Sequence, residues 1–105
     1  MPPEDSVLLR IFSGEDDRYQ HLPLFEAIVL KARESGLAGA TVLHGILGFG
    51  ESSRLHRSNP LILSSDLPVV VEIVDRADKL KAFLPVLDQM MSSGLVTMEG
   101  VRVVK

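Results

Sequence analysis

Cysteine is absent from the 105 residues of this sequence. Its absence excludes disulfide bonds, thiolate metal ligands and catalytic thiols, and it fits a reducing compartment. Long apolar runs are also lacking, since none approaches the ~18 residues that a membrane-spanning helix needs. The first residues show neither the basic segment nor the cleavage site of a secretory leader. We therefore predict a cytoplasmic protein with no direct membrane insertion.

The chain has no excess of positive charge either, because 11 Lys and Arg residues stand against 14 Asp and Glu residues, a net charge of −3. A chain with this net charge lacks the excess of positive charge that nucleic-acid-binding domains use, so we predict no nucleic-acid partner. Apolar side chains are abundant, at 46% of residues and a mean hydropathy of +0.22. The length predicts a single domain over residues 1–105, and the apolar share predicts that part of its surface is buried between subunits.

Alternating hydrophobic residues predict four strands. The first covers Ser6–Ser13, the third covers Pro68–Val74 and the last covers Leu95–Lys105. The second, Ala40–Gly50, is apolar on both sides, which predicts that both of its faces are covered, one by helices and the other by a second subunit. Between the first strand and the first helix, Gly14–Leu22 is predicted as a charged loop or an irregular helix start.

Apolar residues at helical spacing predict two helices. The first has Pro23 in its opening turn and ends at Gly36. We expect Asp75 to cap the second helix, Pro85 to bend it and Gly94 to end it. The two apolar stripes are Phe25, Ile28, Val29 and Ala32, and then Leu80, Phe83, Leu84, Leu87 and Met91. This order predicts an α+β, ferredoxin-like βαββαβ sandwich, with two helices on one face of an antiparallel four-stranded sheet.

Three glycines, Gly45, Gly48 and Gly50, close the second predicted strand and open a long polar segment, Glu51–Asp66. Glycine lets the backbone approach a ligand closely, and exposed N–H groups at such a turn can bind phosphate oxygens. The spacing matches neither a dinucleotide fingerprint nor a P-loop. A bulge or twist at the strand end explains the same residues without a ligand.

The long segment carries Arg54, His56, Arg57 and Ser58 within five positions. Arginine offers a planar set of donors suited to phosphate or carboxylate. A solvated basic loop is the alternative interpretation. Because the segment is long and begins at the glycines, the sequence favours an anion site formed by these two groups of residues.

Metal binding and catalysis have weaker support in the sequence. The acidic run at residues 15–17 lacks the alternating ligand spacing of a calcium loop. His21, His44 and His56 fall on different elements, so a shared zinc site stays an unsupported alternative. A histidine such as His44, within an apolar strand, is more typical of hydrogen-bonded structure or an interface than of a ligand. No catalytic motif is present, and we predict a binding protein rather than an enzyme.

Larger blocks of the sequence resemble the PII-like family catalogued as domain of unknown function 190. The resemblance runs from LLRIFSGEDDRYQ through PLFEAIVLKARESGLAGATVLHGILGFG, LHRS and LSSDLPVVVEIVD to the final GLVTMEGVRVVK. It implies a ferredoxin-like domain that assembles as a homotrimer. It also implies a small effector, typically an adenine nucleotide, bound in clefts between subunits.

The resemblance further assigns roles to individual segments. The long segment Glu51–Ser65 corresponds to a loop that rearranges and contacts a target, often a membrane transporter or an enzyme. Gly45, Gly48 and Gly50 form the base of that loop. The family pattern commonly has arginine where this chain has His44. The alternatives that stay open are a metal-binding trimer of the same architecture and a small enzyme on a ferredoxin-like scaffold.

Overall fold

The computed structural model describes residues 6–50 and 66–105. Its elements in chain order are β1 (Ser6–Gly14), β2 (Arg18–Tyr19), β3 (Leu22–Pro23), α1 (Leu24–Glu34), β4 (Thr41–His44), β5 (Pro68–Arg76), α2 (Ala77–Met90) and β6 (Leu95–Gly100). Four of the strands form one antiparallel sheet in the order β4-β5-β1-β6, while β2 and β3 pair as a separate short ribbon. The ribbon apart, the order is βαββαβ, and the predicted ferredoxin-like α+β fold is confirmed.

The core lies between the sheet and both helices. Leu9 and Ile11 of β1 pair in register with Ile73 and Val71 of β5, and all four side chains are buried. The helix residues packed in the same cluster are Leu24, Ala27, Ile28, Ala32, Leu80, Phe83, Leu87 and Met90. Each large aliphatic or aromatic side chain buried in this way contributes about 1.5–3 kcal/mol. Both helices therefore cover the same face of the sheet, as their apolar stripes predicted.

The sheet face that the helices do not cover, here called the open face, carries the alternate residues of each strand. They are Leu8, Arg10, Phe12, Thr41, Leu43, Val70, Glu72, Val74, Leu95, Thr97 and Glu99. Within the described ranges, no helix is long and apolar enough to cross a membrane.

The predicted helix cap at Asp75 is wrong. Strand β5 continues to Arg76 because Arg76 still pairs with Ser6 of β1. Arg76 is the residue that precedes α2, and no side chain caps the helix there. Asp75 therefore lies in the strand, where its buried carboxylate accepts hydrogen bonds from the N–H of Ala38 at 2.9 Å and of Arg76 at 2.7 Å. It ties the α1–β4 connection to the sheet instead of starting a helix.

Three predicted boundaries also change, namely the start of α1, the end of the last strand and the end of α2, which stops at Met90 instead of Gly94. The stretch expected to be a charged loop or helix start forms the β2–β3 ribbon, and Pro23 ends that ribbon instead of entering α1. The last strand stops at Gly100, not Lys105, because Gly100 pairs with Val7 close to the beginning of β1. Gly36 follows α1 with φ of +78°, which confirms the predicted glycine stop. Pro85 lies inside α2.

Replacing Asp75 by alanine is expected to lower the free energy of unfolding by about 1–2 kcal/mol, because the Ala38 N–H loses its acceptor in a partly buried position. Chemical denaturation would measure this loss. Asp78→Ala is the matched control, since Asp78 is an exposed aspartate in the first turn of α2. An equal loss in both variants would contradict the assigned role of Asp75.

Candidate functional site

The candidate site is the point where the sheet leads into and out of the segment 51–65. The last pair of the β4–β5 ladder is His44 with Val69, and the N–H of Gly45 then donates to the carbonyl oxygen of Pro68 at 2.7 Å. Pro68 has no N–H that could donate back to the carbonyl oxygen of Gly45, so the regular pairing of β4 with β5 stops at this position. This is why β4 ends at His44, whereas the sequence predicted a strand as far as Gly50.

Two of the three predicted glycines pack against the ring of Pro68. A Cβ atom added at Gly45 would lie 2.7 Å from the Pro68 Cγ atom and 3.3 Å from its carbonyl oxygen, and one added at Gly48 would lie 3.0 Å from Cγ. A Cβ atom at Gly50 would meet no atom of the described ranges within 4 Å. Close contact with the Pro68 ring therefore explains glycine at the first two positions, while the described residues leave space at Gly50.

Gly45→Ala is expected to lower the free energy of unfolding by about 1–3 kcal/mol, because the new methyl group must displace a rigid proline ring. Gly50→Ala adds the same methyl group where the described residues leave space, so it should stay within about 0.5 kcal/mol of the wild type. Thermal unfolding of the two variants side by side would measure the difference. Similar melting temperatures would show that the turn adjusts freely.

A histidine and a carboxylate meet beside this turn. His44 Nε2 lies 2.9 Å from Glu15 Oε2, and both side chains are partly exposed. The ring of Phe25, at the start of α1, meets the imidazole edge-on, with ring centroids 5.6 Å apart and planes at 78°. His44 thus has a carboxylate and an aromatic ring as neighbours, and it stands at the end of its strand rather than in the middle.

Two backbone N–H groups hold the acidic run against the residues that directly precede β5. The N–H of Glu15 donates to the carbonyl oxygen of Leu67 at 2.8 Å, and the N–H of Asp16 donates to Asp66 Oδ1 at 3.0 Å. The carboxylate of Asp17 instead accepts from the N–H of Gly14 at 3.0 Å. No group of three or more candidate ligands that could hold a metal ion occurs in residues 6–50 and 66–105.

The basic part of the predicted site, Arg54, His56, Arg57 and Ser58, lies outside the described residues, as does the whole segment Glu51–Ser65. The structure therefore brings Gly45 and Gly48 together at Pro68, but it does not test the pairing of the glycines with the basic residues.

The sequence interpretation missed the roles of Glu15, Phe25 and Pro68. Pro68 could have been found from its position, because a proline that opens the strand after a long segment faces the glycines that close the strand before it. Nothing in the sequence pairs Glu15 with His44, since 29 positions separate them and only the sheet order brings them together.

Comparison with known proteins places the chain in a family. The DUF190 family, described as "Uncharacterized ACR", matches residues 6–103. A UPF0166 protein of Aquifex aeolicus is 40% identical over 97 residues, covering 92% of this chain and 91% of the relative. A UPF0166 protein of Methanocaldococcus jannaschii is 29% identical over 99 residues, covering 93% and 91%.

A solved structure from Thermus thermophilus, described as a PII-like signaling protein, has the same fold. The two structures superpose with a TM-score of 0.65 at 20% sequence identity, covering 94% of this chain and 89% of the other. The family match spans nearly the whole chain and agrees with the blocks of sequence that carried the resemblance. The chain belongs to the DUF190 family, and its fold is the ferredoxin-like fold of a PII-like protein.

Proposed function

We propose that this protein is a PII-like regulatory sensor and not an enzyme. In this proposal it is a cytoplasmic homotrimer that binds a small anionic effector, an adenine nucleotide, in the clefts between subunits. Effector binding changes the conformation of the segment 51–65 and thereby its contact with a partner protein, which is a membrane transporter or an enzyme. A ligand shifts such an equilibrium only through its different affinity for the two conformations.

The observation that carries the proposal is the geometry at the base of that segment. His44 and Val69 are register partners, and Gly45 is hydrogen-bonded to Pro68. The chain therefore leaves the sheet and returns to it at neighbouring positions. A segment anchored in this way can change its conformation without disturbing the core, which is what a switch requires.

Assembly is supported by the open face. Leu43, Val70, Phe12 and Leu95 are consecutive register partners and form an apolar row across all four strands. Leu43 is 49% exposed and Leu95 is 58% exposed in the single chain. A contiguous apolar row of this kind is typical of a protein–protein contact rather than of scattered surface residues. The number of subunits, three, comes from the family resemblance.

The charged groups on the open face are already paired within one chain. Arg10 Nε lies 2.9 Å from Glu72 Oε2, and Arg10 Nη1 lies 2.7 Å from Glu99 Oε1. The hydrogen bond to Glu72 is the largest of the causes that raise the pKa of Arg10. Covering the face therefore does not bury an isolated positive charge, but it leaves one carboxylate in excess over the single guanidinium.

The proposed effector contacts are the open turn at Gly45, Gly48 and Gly50 together with the basic side chains of Arg54, His56, Arg57 and Ser58. Backbone N–H groups at a glycine turn bind phosphate oxygens, and arginine adds charge-assisted hydrogen bonds. Gly50 supports this arrangement, since no atom of the described part of the chain lies within 4 Å of where its side chain would stand.

Thermal unfolding in the presence of ATP, ADP, AMP and cyclic AMP tests the proposal. A nucleotide at about 100 times its dissociation constant should stabilise the native state by roughly 2.7 kcal/mol. Hydrogen exchange with and without the active nucleotide should then show increased protection within residues 51–65, with little change in β1 and β5. The nucleotide must be recovered unchanged, because turnover would indicate the enzyme alternative instead.

Two results would contradict this function. The first is a lack of stabilisation by every nucleotide in the series, combined with stoichiometric binding of a divalent metal, which would favour the metal-binding trimer. The second is a monomer across micromolar concentrations by light scattering, which would remove the clefts between subunits.

A further inference from the structure

The two outer strands of the sheet, β4 and β6, each have one edge that no strand in residues 6–50 and 66–105 covers. β4 pairs only with β5, and β6 pairs only with β1, in that part of the chain. We propose that β4 of one copy pairs with β6 of the next copy, so that three sheets join edge to edge into a closed ring. This inference rests on the proposed trimer, and it adds to the open face a second, directional contact between neighbouring copies.

The outer edge of β4 carries backbone groups that point away from the sheet. In an antiparallel ladder, successive residues direct their N–H and C=O groups to opposite sides of the strand. The N–H of Gly45 donates to the carbonyl oxygen of Pro68 at 2.7 Å, so the odd-numbered residues of β4 face β5. The N–H and C=O groups of Val42 and His44 therefore face outward.

The outer edge of β6 has the same property. The N–H of Val101 donates to the carbonyl oxygen of Ser6 at 3.1 Å, so the odd-numbered residues of β6 face β1. The N–H and C=O groups of Val96, Met98 and Gly100 therefore face outward. The sheet thus ends on both sides in a row of donors and acceptors that another strand can pair with.

Neither edge shows the features that protect a free sheet edge. Soluble proteins place lysine, proline or a bulge on such strands to prevent pairing with another chain. Lysine and proline are absent from Thr41–His44 and from Leu95–Gly100. Exposed apolar side chains are present instead, since Leu43 lies on the first strand and Leu95 and Val96 lie on the second. This composition favours an edge that is covered by a further strand.

The strand directions favour pairing of β4 with β6. Every neighbouring pair in the order β4-β5-β1-β6 is antiparallel, so β4 and β6 run in opposite directions. Copies related by rotation about an axis parallel to the strands keep these directions, and β4 of the next copy then lies antiparallel to β6. Pairing β4 with β4, or β6 with β6, needs a two-fold axis and leaves the other edge uncovered. Head-to-tail pairing covers both edges in one ring.

The side chains favour one register for this pairing. Leu43 and Leu95 are the two ends of the apolar row that crosses the open face. Placing Leu43 of the next copy opposite Leu95 continues the row from copy to copy. Val42 of the next copy then lies opposite Val96, and these two outward-facing residues can exchange both of their backbone hydrogen bonds. Cross-strand pairs of apolar and β-branched side chains stabilise antiparallel sheets.

An apolar groove beside β6 supports the same arrangement. The groove runs between α2 and β6, and its lining residues are Leu84, Leu87, Asp88, Val96 and Met98. It is open to solvent on the side where the sheet ends. Val42 pairs with the core residue Val71, so its side chain lies on the helix-covered side of the sheet. In the proposed register, Val42 of the next copy therefore covers the open side of the groove.

Cysteine cross-linking tests the contact, and the absence of native cysteine makes the result specific. In the proposed register Thr41 of one copy faces Thr97 of the next in a pair whose Cα atoms are about 4.5 Å apart, a distance that a disulfide spans. Within one chain, three strand spacings of about 14 Å in total separate these two residues, so no disulfide can form there. Oxidation of the full-length Thr41→Cys/Thr97→Cys variant should convert most of the protein into a covalent trimer on a non-reducing gel.

Two controls accompany the double variant. Thr41→Cys and Thr97→Cys alone should stay unlinked, because each places a thiol on only one of the two edges. Thr41→Cys/Leu30→Cys should also stay unlinked, because Leu30 is exposed on α1 and away from both edges. Dimers of a single variant would indicate two-fold pairing of identical edges and overturn the inference. Equal linkage through position 30 would overturn it as well, because the cross-links would then reflect random collisions.

Amide exchange of the wild type, followed by nuclear magnetic resonance, gives an answer even if the double variant does not fold. Open edges should exchange the outward N–H groups of Val42 and Val96 at least about tenfold faster than those of Leu43 and Thr97, which face β5 and β1. Paired edges should protect all four groups.

The outcomes separate this inference from the proposed function. Fast exchange at Val42 and Val96 in a protein that light scattering shows to be a trimer would overturn the edge contact alone. A folded double variant that is a trimer but forms no disulfide would have the same meaning. A monomer would remove the proposed trimer together with the edge contact.

Discussion

Leu43→Asp is expected to convert the proposed trimer into monomers, raising the concentration of half-dissociation by at least about 100-fold. Leu43 stands at one end of the apolar row that crosses the open face through Val70 and Phe12. An aspartate there would have to lose its hydration in every subunit contact, and an unpaired carboxylate buried in an interface costs several kcal/mol. Sedimentation velocity over a concentration series would measure the change.

Leu30→Asp is the matched control for this result. Leu30 is 48% exposed, almost the same as Leu43 at 49%, but it lies on α1 and not on the open face. The control should keep the subunit number of the wild type, and circular dichroism should show that both variants are folded. Dissociation by Leu30→Asp alone would place the interface on the helices and contradict the assembly through the sheet.

Arg57→Ala is expected to weaken ATP binding by about tenfold or more, which is the loss of one charge-assisted contact of about 1.5–3 kcal/mol. The reason is local in sequence, since Arg57 stands between His56 and Ser58 and follows the glycine turn. Calorimetric titration would measure the affinity, and the melting temperature without ATP should change by the equivalent of no more than about 0.5 kcal/mol.

Arg33→Ala serves as the comparison, because Arg33 is an exposed arginine in the last turn of α1, at the end of the helix away from the glycine turn. It removes the same charge from the protein without touching the proposed site. Unchanged ATP affinity in Arg57→Ala would remove this residue from the site. A loss of the trimer in Arg57→Ala would instead assign the arginine to assembly.

The fold was predictable because its information is local. Strand alternation placed Leu9 and Ile11 on one face, and helical spacing placed Leu80, Phe83 and Leu87 in one stripe. The wrong predictions concern residues whose local structure depends on a partner that is distant in the sequence. Aspartate is a common capping residue, and Asp75 directly precedes the helical spacing of α2, yet the pairing of β5 with β1 keeps it in a strand.

In the candidate site, too, one part could be predicted from the sequence and the other part required the structure. The glycines at its base could be found from sequence, since an apolar strand that ends in Gly45 and Gly48 before a long polar segment indicates a turn. Their packing on Pro68 could only be seen in the structure, because the strand register sets that distance.

The amino-acid sequence alone determined the order of the four main strands and two helices, their apolar faces and the family, because hydrophobic period and motif spacing are properties of neighbouring residues. Only the tertiary structure decided where β4 ends, which face of the sheet stays uncovered and which side chains meet at the turn. The pair of Glu15 and His44 illustrates the difference. Its two members stand at the ends of strands that are not adjacent in the sheet, and their contact depends on the order β4-β5-β1-β6 together with the bond that holds Glu15 to Leu67.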